Sequence, residues 1–152
     1  VTDLLDAALE YARRGYKVFP VSIEKTPLTP HGFKDATTEE TQIREWWTRW
    51  PDAGIGMPTG ALSGVVVLDV DPRHGGDESL AQLVEEHGPL PDGPVVNTGG
   101  GGRHLYFKHT GGHVPSVVGF RPGLDIRADG GYVVLPPSPH RSGTDYRWFV
   151  AM

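Results

Sequence analysis

The sequence predicts an α+β fold, with helices and strands mixed in its first half and strands dominant in its second. Three observations support this. Helical spacing is confined to segments before Gly88, and strand-like runs separated by glycine-rich turns fill the stretch after it. The 21 Gly and 14 Pro among 152 residues favour short strands and tight turns over a helical bundle. Residues 3–14 place Leu4, Leu5, Ala8, Leu9 and Ala12 at helical spacing, with Gly15 as a stop. Residues 16–21 form a short strand, and the Pro- and Thr-rich stretch from Ser22 to Asp35 a loop. Thr37 or Thr38 is placed to cap a second helix running through Trp46 and Trp47 to about Trp50. Residues 54–60 read as a Gly-punctuated strand, and residues 64–71 as a buried central strand. A third helix spans about Asp77–His87. Strands follow at 94–98, 103–109, 124–128 and 131–137.

The length suits one domain with a real core, and 38% hydrophobic residues is ordinary for a globular protein. No apolar run approaches the roughly 18–20 residues of a membrane span. There is no cysteine, which excludes a disulfide framework and a thiolate zinc site. The stretch from Val1 carries neither a signal-peptide core nor a basic targeting arm, so a cytoplasmic location is expected. A net charge of −5 argues against a general polyanion binder, although basic clusters occur at Arg13, Arg14 and Lys17 and around Arg121 and Arg127. Ending at Met152 just after a strand-like stretch, the sequence reads as one domain of a longer protein.

Asp69-Val70-Asp71 is the first chemical signal. On a strand, residues i and i+2 share a face, so both carboxylates project together at the end of the apolar run Val65–Leu68. Two crowded carboxylates repel and lose solvation, and a divalent cation relieves both costs. The alternative is a solvated strand end entering the turn Pro72–Gly75. Leu124-Asp125-Ile126-Arg127 repeats the alternation, with Asp125 and Arg127 on the face opposite Leu124 and Ile126; a surface ion pair is the plainer reading. The third signal is Thr98-Gly99-Gly100-Gly101-Gly102-Arg103-His104. Glycines let the backbone approach phosphate oxygens, and the strand that follows puts Leu105 and Phe107 on the core face and His104 with Tyr106 on the exposed one. A flexible hairpin with a solvent histidine would look the same. The run is not followed by a helix, so Walker and Rossmann loops are excluded.

Together the Asp-x-Asp, the Gly-Gly-Arg-His strand and Gly123–Ser138 (GLDIRADGGYVVLPPS) resemble the bifunctional primase-polymerase domain of the archaeo-eukaryotic primase superfamily. Lys25-Thr26-Pro27, Gly32–Thr37 and Gly54–Gly60 extend the resemblance over nearly the whole chain. It implies an RRM-like antiparallel sheet with helices, joined to an N-terminal α/β module. It implies that Asp69, Asp71 and Asp125 are catalytic and hold two Mg²⁺ or Mn²⁺ ions, and that His104 contacts the phosphates of the incoming nucleotide. Arg127, Arg103 and Lys25 are further phosphate contacts in this reading, Lys25 with the alternative of an exposed loop lysine.

The implied reaction is template-dependent nucleotidyl transfer in phage or plasmid replication, in a bacterial host cytoplasm. Its substrates would be nucleoside triphosphates, single-stranded template and primer-template, and a C-terminal helical region and helicase would complete the longer protein. A metal-dependent nuclease or phosphohydrolase could use the same carboxylates. A catalytically silent nucleotide- or DNA-binding module is the third possibility, and the intact set of Asp69, Asp71, His104 and Asp125 argues against it.

Overall fold

The computed structural model describes residues 3–152, and it is an α+β arrangement of three α-helices and nine antiparallel strands among those residues. Helix α1 (Leu4–Arg13) begins at Asp3, whose carboxylate accepts from the Asp6 N–H at 2.7 Å. Strand β1 is Phe19–Val21, helix α2 is Glu40–Arg49 and strand β2 is Gly54–Pro58. Neither Thr37 nor Thr38 caps α2. Thr37 instead exchanges backbone hydrogen bonds with Val18, which ties the helix approach to the strand region, and Glu39 occupies the cap position.

Strand β3 (Val65–Val70) leads through a 3₁₀ turn at Pro72–His74 into helix α3 (Gly76–His87). Then come β4 (Val95–Asn97), β5 (Arg103–Lys108), β6 (Val117–Arg121), β7 (Leu124–Arg127), β8 (Tyr132–Leu135) and β9 (Arg147–Val150). Of these, β6 is absent from the sequence reading, and β9 enters it only as the strand-like stretch before Met152. They are the two edges of the large sheet, they are short, and β6 contains Gly119 at a register irregularity. Pairing with a neighbour, rather than residue propensity, makes them strands.

The large sheet has the order β6-β7-β3-β5-β4-β9, and a smaller one has the order β1-β2-β8. Strand β3 is central, as its apolar run requires, and β5 and β7 flank it. The main core joins Ala8 and Leu9 of α1, Ile43 and Trp47 of α2, the inner face of the small sheet, and Val67, Val96 and Tyr106 of the large sheet. A second cluster of Leu68, Val70 and Leu124 packs on the other face with Leu80 of α3, Leu105, Phe107 and Ile126. The large sheet is therefore covered on both faces.

This corrects the face expected for His104. Alternation along β5 is as read, but His104 and Tyr106 look toward the main core and are only 7% and 3% exposed, while Leu105 and Phe107 lie over the smaller cluster. A period of two separates the faces of a strand without saying which is better covered. No helix among the described residues is long and apolar enough to cross a membrane.

Candidate active site

The antiparallel register brings together residues that are far apart in sequence. Asp69 of β3 lies opposite His104 of β5 and opposite Asp125 of β7, and Val67 lies opposite Arg127. Period-two alternation then puts Asp69, His104, Asp125 and Arg127 on one face. Arg127 Nη2 is 2.9 Å from Asp125 Oδ2 and 3.5 Å from Asp69 Oδ2, so one guanidinium lies between two carboxylates. His104 Nε2 approaches Asp69 Oδ2 at 3.7 Å, a charge contact beyond hydrogen-bond reach. The other ring nitrogen of His104 is buried and has no partner among the described residues. Asp125 also accepts the Gly119 N–H at 2.7 Å, so the irregularity in β6 fixes its second oxygen.

Asp71 stands one residue past the end of β3. Its carboxylate accepts the Arg73 N–H at 3.0 Å and meets His74 Nδ1 at 2.6 Å, capping the 3₁₀ turn. Its own N–H donates to the Gly123 carbonyl at 2.8 Å, which joins the end of β3 to the turn before β7. Asp69, Asp71 and Asp125 all line one cavity, together with Lys25 and the glycine turn.

The carboxylates are interleaved with cations, so the crowding expected from sequence is offset. Burial alone would push the Asp69 carboxyl up, but His104, then Arg127 and Lys25, outweigh it and hold it below the usual carboxylate range. Asp71 has the same balance: burial is the largest single effect and raises it, but His74 and the N–H and side chain of Arg73 together overcome it and hold it below the usual carboxylate range. Depressed carboxyl groups stabilise the fold only while ionised. Their contribution is complete above about pH 4 and drains away as pH falls further. The loss of melting temperature between pH 5 and pH 3 should therefore be smaller in Asp69→Asn than in the parent protein, as circular dichroism would show.

The fit to a divalent cation can be judged from the donors. All three are carboxylate oxygens, the type that Mg²⁺ and Mn²⁺ prefer, and two of them sit on directly opposed positions of paired strands. Among the described residues, however, no three metal-ligating groups are close enough together to hold an ion. Each carboxylate is turned toward Arg127, His104 or His74. The residue types fit, and the side chains have to rotate away from these partners to act together.

The remaining expected contacts divide. Lys25 is brought in: it sits at φ 66°, a left-handed conformation that costs a non-glycine residue about 1 kcal/mol or more, and its carbonyl accepts the Tyr132 hydroxyl at 2.7 Å. That held turn places Lys25 on the cavity wall, with no ion-pair partner among the described residues. Arg103 is not brought in. As the neighbour of His104 on a strand it faces the other side, where Nη2 is 2.8 Å from Asp77 Oδ1 of α3. Arg121 likewise faces α3, paired with Glu86 at 2.8 Å, so the Arg121–Arg127 cluster is split between the two faces of the sheet.

A second cavity adjoins the first and shares Lys25, Asp69, His104 and Arg127 with it. The first is polar, and Arg73, Gly100 and His140 line it alone. The second is rich in apolar and aromatic groups, including Phe33, Val118, Tyr132 and Tyr146. Sequence reading missed Arg73, His140, Phe33, Tyr132 and Tyr146. Arg73, Phe33 and Tyr132 lie inside stretches already singled out, and for His140 the available signal was the polar stretch Ser138–Gly143 after a buried strand.

No individually curated protein matches the chain at a significant level. The sequence model of the family described as bifunctional DNA primase/polymerase, N-terminal, matches residues 8–152, and such a family implies DNA primase/polymerase activity on nucleotide and DNA substrates. With a match over nearly its whole length, the chain belongs to the bifunctional DNA primase/polymerase N-terminal domain family.

Proposed function

We propose that this chain is a catalytic domain for template-dependent nucleotidyl transfer in the replication of a phage or plasmid, working in the cytoplasm of a bacterial host. The observation that carries this reading is the alignment of Asp69 between His104 and Asp125 on three adjacent strands, beside Arg127. The order β7-β3-β5-β4, with α3 following β3, supports an RRM-like sheet of the archaeo-eukaryotic primase type. The segment between β5 and β7 departs from a full βαββαβ repeat by having no helix among the described residues.

Asp69, Asp71 and Asp125 would hold two Mg²⁺ or Mn²⁺ ions, which when bound would lower the pKa of a primer 3′-hydroxyl and neutralise the leaving pyrophosphate. Arg127 and His104 would supply fixed positive charge and a donor at the α-phosphate, an electrostatic role rather than proton transfer. Lys25, which lines both halves of the cavity, would add a second cation. The aromatic half of the site suits the sugar and base, because Phe33, Tyr132 and Tyr146 offer flat apolar surface. The nucleoside would therefore lie in that half, with its phosphates running past the shared residues into the polar half.

The test is incubation with a primer-template, labelled deoxynucleotides and Mg²⁺ or Mn²⁺. Extension is the expected outcome; shortening would support a nuclease, and no change a silent binding module. Independently of activity, Mn²⁺ should raise the melting temperature of the parent protein and leave that of Asp69→Asn/Asp125→Asn nearly unmoved.

A further inference from the structure

His140 belongs to no motif described above, yet it is held firmly in the lining of the polar half. It lies in the segment Pro136–Gly143 that follows β8. Its Nδ1 takes the Ser142 N–H at 3.0 Å. A backbone N–H can only donate, so Nδ1 is the acceptor and the proton of the neutral ring sits on Nε2. Burial first, and then the charges of Lys25, Arg141 and Arg73, hold this imidazole below its ordinary pKa of 6.5, which keeps it neutral with one N–H to offer.

The ring is wedged on two sides. A Cβ at Gly99 would collide with it, and a Cβ at Gly100 would lie 3.3 Å from its Cε1 and 3.4 Å from its Nε2. Tyr146 meets it edge-on at 5.6 Å between centroids. Ser142 Oγ donates to the Gly99 carbonyl at 2.7 Å, which fastens the histidine segment to the glycine turn. The neighbouring cations, Lys25 and Arg73, line the same cavity, and Gly100 leaves open the space that a side chain would fill.

Position decides which part of a nucleotide this donor meets. His140 and Arg73 line only the polar half, whereas Asp69, His104, Arg127 and Lys25 are common to both halves. A nucleotide with its base in the aromatic half and its α-phosphate at the shared residues carries its outer phosphates toward His140 and Arg73. We propose that His140 is a phosphate-binding residue whose Nε2–H contacts the β- or γ-phosphate, so that it favours triphosphates over monophosphates. This rests on the nucleotidyl-transfer reading above.

The experiment is calorimetric titration of deoxynucleoside tri-, di- and monophosphates, with Mg²⁺ present, into the parent, His140→Asn and His140→Gln. Asn places an acceptor where Nδ1 was, so it preserves the Ser142 contact while removing the outer donor. Gln reaches the Nε2 position. His140→Asn should bind the triphosphate about tenfold more weakly or worse, the usual scale for a lost hydrogen bond to a charged group, with monophosphate affinity unchanged. His140→Gln should keep most of the triphosphate affinity. Equal weakening of all three nucleotides by Asn, or undiminished triphosphate affinity, would overturn the assignment while leaving the nucleotidyl-transfer reading intact. A parent protein that binds none of the three would overturn both.

Discussion

Asp69→Asn should lower nucleotide incorporation by a factor of about 10³ or more, the scale expected when a charged group at a reaction centre is lost. The substitution keeps the shape of the side chain and removes its charge. Neither of the other two aspartates can replace it, because of the three only Asp69 is paired with both flanking strands, with His104 on one side and Asp125 on the other. Stability should fall only slightly. Arg127 keeps its 2.9 Å contact with Asp125, while His104 loses its charged neighbour. Quenched primer-extension assays read the rate, and thermal melting reads the fold. Extension within about tenfold of the parent, on a variant that melts normally, would remove Asp69 from the reaction centre.

Gly123→Ala should cost on the order of 3 kcal/mol of stability, adding about 1–2 for a left-handed residue with a side chain and about 1–3 for overpacking. Gly123 has φ +73°, and a Cβ there would strike the Gly76 nitrogen and lie 2.6 Å from the Asp71 carbonyl oxygen. Both obstacles are backbone, so neither can rotate aside. The same glycine accepts the Asp71 N–H, so any relief would move the second aspartate relative to the first. In a chain of 152 residues the expected fall in melting temperature is about 6–12 °C. Activity should fall with it, even at temperatures where the variant stays folded. A melting temperature within about 2 °C of the parent would mean that the turn relaxes at little cost.

Much of this was legible in the chain itself. The apolar run Val65–Leu68 marks the central strand, and the alternation of Leu124, Asp125, Ile126 and Arg127 puts the acid and the base on one face, as found. What could not be read was adjacency. The pairing of β3 with both β5 and β7 is a long-range property, and only that pairing turns three separate motifs into one site. The burial of His104 was unreadable for the same reason, since it depends on which face the N-terminal helices cover. Lys25 reaches the cavity through a left-handed turn held by Tyr132, and nothing local in Glu24-Lys25-Thr26 announces that conformation. Arg103 shows the opposite limit: it sits beside a site histidine in sequence and on the other side of the sheet in space.

Arg127 stands between Asp69 and Asp125 where a cation would be needed, and its place there has a thermodynamic consequence. One guanidinium cannot bridge two carboxylates and grip a phosphate at full strength simultaneously. Occupation of the carboxylates by a divalent ion would release Arg127 toward the nucleotide, and a bound nucleotide would in turn draw Arg127 off the carboxylates. The two ligands would then be linked through a single side chain, and linkage is reciprocal: whatever factor the ion added to nucleotide affinity, the nucleotide would add to ion affinity. Alone, either would compete with the protein's own internal counter-ion. On the proposed nucleotidyl-transfer reading, such a site would favour joint occupancy over half-filled states.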